Sequence, residues 1–178
     1  MSWEILKLVE PSIEFKTEFQ AMVAEYQAAG EKHYASMYAD AIEDFAKYVN
    51  KLRDYANGLN LPQDWVRSST YWLTGNENQI LGCARLRYQL NEHLRFHGGH
   101  IGYDIRPSQR RKGYGSLILA LTLKKASAQG LKKVLLTCNA DNKASARIIE
   151  KNGGKFASLF IPDWPQKPLR RYWIELHH

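Results

Sequence analysis

Residues 101–116 read IGYDIRPSQRRKGYGS, and the rest of the chain is organised around this stretch. Apolar side chains alternate from Ile101 to Ile105 as they do in a strand, and Pro107 disfavours helix immediately before it. A basic turn with two glycines, RRKGYG at 110–115, then opens an apolar helical pattern from Ser116 to Gln129. The stretch therefore predicts a strand, a tight turn and a helix N-terminus in succession.

The start of this helix is predicted to bind an anion. A helix N-terminus carries unpaired N–H groups and about half a positive charge, so an anion gains both hydrogen bonds and dipole attraction there. Gly113 and Gly115 have no Cβ to keep a ligand away from the backbone, and Arg110, Arg111 and Lys112 add mobile cations at the rim. We interpret the turn as a diphosphate site.

Two familiar glycine motifs do not fit this turn. A Walker loop ends in Gly-Lys-Ser or Gly-Lys-Thr, but Lys112 precedes Gly113, and the dinucleotide motif needs a third glycine where Ile118 stands. The pattern RxxGxG after IRP resembles the acyl-CoA signature of the GNAT superfamily of N-acyltransferases, in which the amides of the turn hold the pyrophosphate of coenzyme A. An ordinary basic strand-to-helix turn is the alternative interpretation.

A second stretch strengthens the resemblance. The apolar run Val134–Leu136 is typical of a strand covered on both faces, and residues 138–156 then read CNADNKASARIIEKNGGKF. Asn142 is a good helix N-cap, and Asn152-Gly153-Gly154 is a strong stop signal. This pattern is similar to the second GNAT signature, and the two signatures follow in the order and spacing of the family. The specific resemblance covers residues 99–156.

The resemblance implies an α/β (α+β) GNAT fold, which is a mixed, mostly antiparallel sheet of about seven strands with helices on both faces. It also implies acetyl-CoA as co-substrate, with its pantetheine arm beside the strand that ends at Ile105. Asn142 and Ser145 match polar contacts to the coenzyme, although capping of the last helix would also explain them. The cofactor-binding residues implied in this way are Tyr103, Ile105, Arg110, Arg111, Lys112, Gly113, Tyr114, Gly115, Ser116, Asn142 and Ser145.

Transfer from a thioester to an amine requires the neutral amine. An alkylamine of pKa near 10.4 is neutral in about one molecule in a thousand at pH 7, a handicap of roughly 4 kcal/mol that a base or the pocket must offset. Many GNAT sequences carry a Glu near the start of the central strand, where this chain has His100, with Glu92 in the preceding loop. We expect Glu92 or His100 to act as base or amine-binding group, the alternative being a structural or solvent-exposed role. The usual tyrosine acid is replaced by Ile149, which leaves the acid unassigned.

Length and composition are consistent with an enzyme that binds a polyanion. The 178 residues predict one domain over 1–178, and the net charge of +7 suits an anionic ligand, an acidic partner or nucleic acid. No nucleic-acid motif is present, so nucleic acid is disfavoured.

Cys83 and Cys138 lie in strand patterns and are expected to be buried, reduced thiols of a cytoplasmic protein. Cys138 lacks an adjacent base and is expected to belong to the core and not to act as a nucleophile. No signal peptide or membrane span is predicted, and a homodimer is an open alternative.

The remaining segments complete the predicted fold. The expected elements are a strand over Trp3–Val9, a Ser12-capped helix ending at Gly30, a helix carrying Ile42 to Leu52, a hairpin of Thr70–Leu73 and Ile80–Tyr88, and a last strand at Tyr172–Leu176. The loop Leu59–Ser69, which holds Trp65, is a candidate lid over the acceptor.

Several side chains near this lid have two interpretations. The tyrosines at 34, 38, 48 and 55 are expected to pack in the core in preference to lining a pocket, and Arg85 and Arg87 to be solvated in preference to lining a charged cleft. His93 and His97 have metal-ligand spacing, but they lie in a glycine-rich loop without further ligands, so a metal is disfavoured.

Together with the composition, the resemblance implies a cytoplasmic N-acetyltransferase that transfers directly from acetyl-CoA to a primary amine. Amino acids, polyamines, antibiotics and protein amines all stay open as acceptors. The rival interpretation from the same residues is a coenzyme A binding module without turnover, which the missing tyrosine at Ile149 would favour.

Overall fold

The computed structural model describes residues 5–177, which form seven strands and six α-helices. The strands are β1 (Lys7–Val9), β2 (Ser68–Thr74), β3 (Ile80–Arg87), β4 (Ile101–Ile105), β5 (Lys133–Asn139), β6 (Lys155–Phe160) and β7 (Leu169–Glu175). The helices are α1 (Lys16–Ala28), α2 (Lys32–Met37), α3 (Ala39–Glu43), α4 (Phe45–Ala56), α5 (Tyr114–Ala128) and α6 (Lys143–Lys151).

The strands form two antiparallel sheets. One has the order β1-β2-β3-β4 and the other the order β5-β7-β6. Within the described residues no ladder joins β4 to β5, so the predicted mostly antiparallel arrangement of seven strands is present as two antiparallel sheets that separate at this point. The two sheets meet at the start of β4, where the N–H of His100 donates to the Leu135 carbonyl over 2.7 Å. The gap between β4 and β5 is therefore the opening at which backbone groups of both sheets face each other.

Alternation along β2 and β3 sends side chains to both faces of the first sheet. Trp72 and Cys83 pack with α1 and α4 in one core cluster. Their neighbours Leu73 and Ala84 pack with Ile118 of α5 on the opposite face. The prediction of helices on both faces is confirmed, with α1 to α4 on one side and α5 on the other.

Most predicted elements are present, and two details were wrong. Ser12 does not cap the first helix, because a 3-10 turn at Ile13–Phe15 precedes it and the Ser12 side chain makes no capping bond. The predicted second helix is divided into α3 and α4, and α4 starts where Asp44 accepts a hydrogen bond of 3.0 Å from the Lys47 N–H; the short helix α2 before them was not predicted. In the predicted first strand, Trp3 lies outside the described residues.

Two further predictions concern the cysteines and the membrane. Cys83 and Cys138 are free and buried, as expected. No helix in the described part of the chain has the length and apolar character needed to cross a bilayer.

Candidate active site

The turn between β4 and α5 has the backbone of an anion-binding site. Arg111 and Gly113 adopt left-handed conformations with φ of +61° and +86°. The Leu117 N–H donates to the Gly113 carbonyl over 3.2 Å, so the amides of Gly115 and Ser116 lie ahead of the first closed turn of the helix. These amides and the positive end of the helix dipole are directed out of the helix N-terminus, where an anion would be stabilised.

The two glycines of this turn are required for different reasons. A Cβ built on Gly113 would meet nothing within 4 Å, so its positive φ is what calls for glycine, and the space beside it is open to a ligand. A Cβ on Gly115 would lie 2.7 Å from Cδ1 of Ile148 in α6. Gly115 therefore permits close packing of α5 on α6, and close approach of a ligand at this glycine stays a prediction.

Arg110 is not the mobile cation that we predicted. Its guanidinium forms a bidentate ion pair with Glu31 over 2.6 and 2.9 Å, and its Nε donates to the Ile105 carbonyl over 3.0 Å. The Ile105 carbonyl therefore already accepts a hydrogen bond at the place where a pantetheine contact was expected. Lys112 donates to Gln109 over 3.0 Å and, like Arg111, is exposed at the rim of the turn.

The start of α6 lies across the opening from β4. Asn142 caps this helix by accepting a 3.0 Å bond from the Ser145 N–H, which confirms its predicted capping role. The Ser145 hydroxyl lies 3.1 Å from the Tyr103 hydroxyl, and burial raises the pKa of Tyr103 to about 12. Tyr103 therefore stays protonated near neutral pH and links β4 to α6.

The other predicted cofactor residues pack at the same corner of the molecule. Tyr114 is half-buried against the core cluster that contains Ile118. The side-chain amide of Asn152 donates to the Ser116 hydroxyl over 3.2 Å, which holds the end of α6 against the start of α5. The structure thus brings the turn, the end of β4 and the start of α6 together.

A cavity of about 520 Å³ lies on the other face of the first sheet. It is enclosed by α4, by β2 and β3, and by two loop segments that contain Trp65 and His93. The Asn91 side-chain amide donates to the Asp64 carbonyl over 2.7 Å and so ties these two segments together. Trp65 is 59% exposed and packs on Tyr55 with ring centres 5.6 Å apart. This placement suits the lid predicted for Trp65.

The tyrosines singled out from the sequence have two roles. Tyr38 and Tyr48 are buried in the core, as expected, and both also line the cavity together with Tyr55. Tyr34 packs against the same core cluster. The alternatives of packing and pocket lining therefore coexist.

Arg85 is not solvated, because it pairs with a buried carboxylate that the sequence reasoning missed. Asp104 accepts hydrogen bonds from Tyr26 over 2.7 Å, from Tyr38 over 2.8 Å and from Arg85 over 2.8 Å. Burial and the charge of Asp104 raise the pKa of both tyrosines well above the usual value, so both donate. The sequence signal that could have identified Asp104 is an acidic residue within the alternating apolar pattern of β4. Arg85 and Arg87 both line the cavity. This placement matches the charged cleft, which was the less favoured of the two interpretations from the sequence.

The geometry argues against proton acceptance by His100. Only 8% of the residue is exposed, and its Nδ1 accepts a 2.8 Å hydrogen bond from the Leu135 N–H. Burial, followed by the charge of Arg87, lowers the pKa of His100 to about 4, so the ring is neutral and its proton lies on Nε2. The only ring lone pair already accepts from the Leu135 N–H, so near neutral pH the ring joins the two sheets instead of taking a proton.

The loop before His100 places its acidic and basic residues differently. Glu92 is exposed, and its neighbours Asn91 and His93 line the cavity. The rings of His93 and His97 stack with centres 5.3 Å apart. Among residues 5–177 there is no group of three or more His, Cys, Asp or Glu side chains that could hold a metal.

Two positions considered for acid or nucleophilic chemistry are buried. Ile149, where the resemblance would place a tyrosine acid, is 1% exposed in the core. Cys138 is also buried, and desolvation raises the pKa of its thiol, which disfavours the thiolate form. The expectation that Cys138 belongs to the core is consistent with this environment.

The fold and the turn match a known family. A family model described as an acetyltransferase (GNAT) domain matches residues 20–155, which is more than half of the chain. The chain therefore belongs to the GNAT acetyltransferase family. A comparison with curated protein sequences returns no significant match.

Solved structures share this fold at low sequence identity. The microcin C7 self immunity acetyltransferase MccE, in complex with acetyl-CoA and AMP, matches with a TM-score of 0.69 and 14% identity over 96% of this chain and 92% of its own. RimL, a ribosomal alpha-N-protein acetyltransferase in complex with coenzyme A, matches with a TM-score of 0.69 and 15% identity over 96% and 94%. A spermidine N-acetyltransferase SpeG chimera from Vibrio cholerae matches with a TM-score of 0.63 and 15% identity over 96% and 95%.

Proposed function

We propose that the whole chain is one cytoplasmic GNAT domain that transfers the acetyl group of acetyl-CoA directly to a primary amine. The observation that carries this proposal is the arrangement of two sites around β4. The turn at 111–116 lies at the end of β4, with the amides of Gly115 and Ser116 ahead of the first closed turn of α5. The cavity of about 520 Å³ lies on the face of the first sheet that is opposite α5. The coenzyme and the amine would then approach the opening between β4 and β5 from different sides.

The coenzyme would be held mainly by backbone groups. Its pyrophosphate would accept hydrogen bonds from the amides ahead of the first turn of α5, with Arg111 and Lys112 adding positive charge. The pantetheine arm would extend along β4 past Tyr103 and Ser145, whose hydroxyl groups lie 3.1 Å apart. The structures of MccE and RimL, solved with acetyl-CoA and with coenzyme A, support a cofactor of this class for this fold.

The reaction would be a direct nucleophilic substitution at the thioester. The neutral amine attacks the acetyl carbonyl carbon, a C–N bond forms, the C–S bond breaks, and coenzyme A leaves as thiolate while the nitrogen loses a proton. The positive charges of Arg85 and Arg87 in the cavity would favour the neutral amine over its ammonium form. Because Glu92 is exposed beside the cavity, we propose that it accepts the proton through water; His93, which lines the cavity, is the alternative base.

The test is release of free thiol from acetyl-CoA in the presence of primary amines, followed by mass spectrometry of the amine product. Acetylation that depends on both substrates, together with calorimetric binding of coenzyme A, would support the proposal. Absence of coenzyme A binding would overturn it.

A second function follows from one observation. Ile149 stands in the buried position where the resemblance would place the tyrosine acid. The alternative is an acyl-CoA-binding sensor without turnover, and it would show calorimetric binding of acetyl-CoA but no acetylated product with any amine.

A further inference from the structure

Two arginines of β3 face the same point of β4. Arg85 and Arg87 alternate with the buried Ala84 and Leu86, so their side chains lie on the cavity side of the sheet. A Cβ built on Gly102 would be 3.6 Å from Nε of Arg85 and 3.9 Å from Nη1 of Arg87. Both guanidinium groups therefore lie over Gly102 in the middle of β4, and both line the cavity.

Only one of these arginines has a counter-ion. Arg85 pairs with Asp104 over 2.8 Å. Nη1 of Arg87 donates to the carbonyls of Gly98 and Gly99 over 3.3 and 3.2 Å, and in the described part of the chain no carboxylate lies within ion-pair distance of it. Burial and the charge of Arg85 lower the pKa of Arg87 to about 10, which still leaves it charged at neutral pH.

The rest of the cavity adds aromatic surface but no net positive charge. Lys51 lines it beside Arg85 and Arg87, while the lining residues of the described chain include one carboxylate, that of Asp64. Lys51 is paired with Asp40, so Arg87 is the cation whose charge is uncompensated. Tyr48, Tyr55 and Trp65 supply the aromatic wall. A half-buried cation without a counter-ion is costly, and an anionic ligand would relieve that cost.

We propose that the acceptor is a primary amine that also carries a carboxylate or phosphate, on an apolar or aromatic body, and that Arg87 binds this anion. The proposal rests on the proposed function, since it assigns the substrate class of the same cavity. Nη2 and Nε of Arg87 make no hydrogen bond within residues 5–177, and a carboxylate or phosphate could accept from them. A polyamine would bring further positive charge to the same place and is disfavoured. The volume of about 520 Å³ lies within the range of small-molecule sites and leaves room for the apolar or aromatic body beside the anion.

The experiment compares matched amines under initial-rate conditions. L-Phenylalanine is set against its amide and against phenethylamine, O-phosphoethanolamine against ethanolamine, and spermidine serves as the cationic amine. We expect kcat/KM for the anionic member of at least one pair to exceed that of its neutral partner by about 10-fold to 100-fold, the effect of a charged hydrogen bond. The first pair tests a carboxylate and the second a phosphate. Equal or better use of the neutral partners and spermidine would overturn the proposal.

Variants assign the preference to Arg87. In Arg87→Gln the preference should disappear through a rise in KM for the anionic amine, and Arg87→Lys should retain part of it. Arg95→Gln removes an exposed arginine of the neighbouring loop that does not line the cavity, and its preference should match that of the original chain. An unchanged preference in Arg87→Gln, in protein that still binds coenzyme A, would contradict the assignment.

Failure of catalysis is distinguishable from failure of this inference. If no amine releases thiol, L-phenylalanine and O-phosphoethanolamine are titrated by calorimetry into protein saturated with acetyl-CoA. Saturable binding that is lost in Arg87→Gln would support the anion site even in a protein without turnover. Absence of binding by both compounds would overturn it.

Discussion

The Leu135 N–H donates to Nδ1 of His100 over 2.8 Å, while the His100 N–H donates to the Leu135 carbonyl over 2.7 Å. This pair of bonds joins the two sheets at the start of β4. A ladder between β4 and β5 would begin at this point if the two strands were paired along their length. Gly99 permits the approach, because a Cβ at that position would collide with the Leu135 carbonyl oxygen. At the point where the opening between β4 and β5 begins, the Leu135 N–H therefore donates to an imidazole nitrogen instead of a backbone carbonyl.

The first prediction is a loss of stability in mild acid that depends on His100. Its pKa falls from 6.5 to about 4 on folding, so the unfolded chain binds more protons between these values and stability declines as pH falls below 6.5. From pH 6.5 to 5 the free energy of unfolding should fall by about 2 kcal/mol because of this group alone. Urea titrations at intervals of half a pH unit measure the decline.

The control for this prediction is His100→Asn, whose side-chain carbonyl can still accept from the Leu135 N–H but does not titrate. This variant should show a shallower decline between pH 6.5 and 5, whereas His33→Asn, which removes an exposed imidazole, should follow the original profile. Equal slopes in the His100 variant and the original chain would contradict the buried, neutral state of the ring.

The second prediction separates the two glycines of the turn. Gly115→Ala should lower the free energy of unfolding by about 1–3 kcal/mol through overpacking against Ile148. Ile148→Val removes the Cδ1 atom that the new methyl group meets, and on its own should cost about 0.5–1.5 kcal/mol. In the double variant the two losses should overlap by roughly 1 kcal/mol, measured as a coupling energy from denaturant unfolding.

Gly113 provides the matched comparison. Gly113→Ala should cost about 1–2 kcal/mol because its φ of +86° disfavours a side chain, and Ile148→Val should not rescue it. Additive losses for Gly115→Ala and Ile148→Val would show that Gly115 is not needed for helix packing.

The sequence predicted the proposed cofactor side of the site, which is the turn at 111–116, better than the proposed acceptor side, which is the cavity. The strand, turn and helix at 101–129 and the cap at Asn142 depend on local signals, which are proline, glycine and capping residues at fixed spacing. The partners of Arg110 and Gly115 could not be predicted in this way. Glu31 and Ile148 lie far from them in sequence, so only the packing of α6 and of the segment between α1 and α2 against the turn reveals the contacts.

The acceptor side depends on contacts between distant segments. Alternation correctly placed Arg85 and Arg87 on one face of β3, but the pattern is the same for a solvated face and for a charged cavity. What decides between them is the cover supplied by α4 and the Trp65 loop, and the buried partner Asp104 on the next strand. The break of the predicted second helix into α3 and α4, which helps to shape this cover, has only weak sequence signals.

The third prediction concerns the cations of the turn. Arg111→Gln and Lys112→Gln should each weaken binding of coenzyme A by about 2-fold to 5-fold at low salt, and less at high salt, because both groups are exposed and screened. Arg110→Gln should show a smaller salt-dependent part, since Glu31 compensates the charge of Arg110. Calorimetry at two salt concentrations measures these effects, with Lys124→Gln on the exposed side of α5 as control. A salt-dependent loss in Arg110→Gln as large as in the other two would contradict its pairing with Glu31.

The fourth prediction concerns the buried carboxylate. Asp104→Asn should lower the free energy of unfolding by about 3–5 kcal/mol, because it leaves the half-buried Arg85 without its counter-ion. Arg85→Gln leaves the opposite charge unpaired, so the double variant should lose less than the sum of the two single losses. Chemical denaturation of all four proteins measures the coupling. Additivity would mean that the two side chains do not stabilise each other.

The fifth prediction tests the base. Glu92→Gln should lower kcat by about 10²-fold to 10⁴-fold at pH 7 if this carboxylate removes the proton through water. The loss should shrink as pH rises toward the amine pKa near 10.4, because solvent then supplies the neutral amine. Stopped assays of acetylated product between pH 6 and 10 measure the profile.

The control for this prediction is His93→Gln, a matched change at the adjacent residue, which lines the cavity. This variant should reduce kcat much less. The reverse order of the two losses would assign the proton transfer to His93, and equal small losses would mean that the cationic cavity alone supplies the neutral amine.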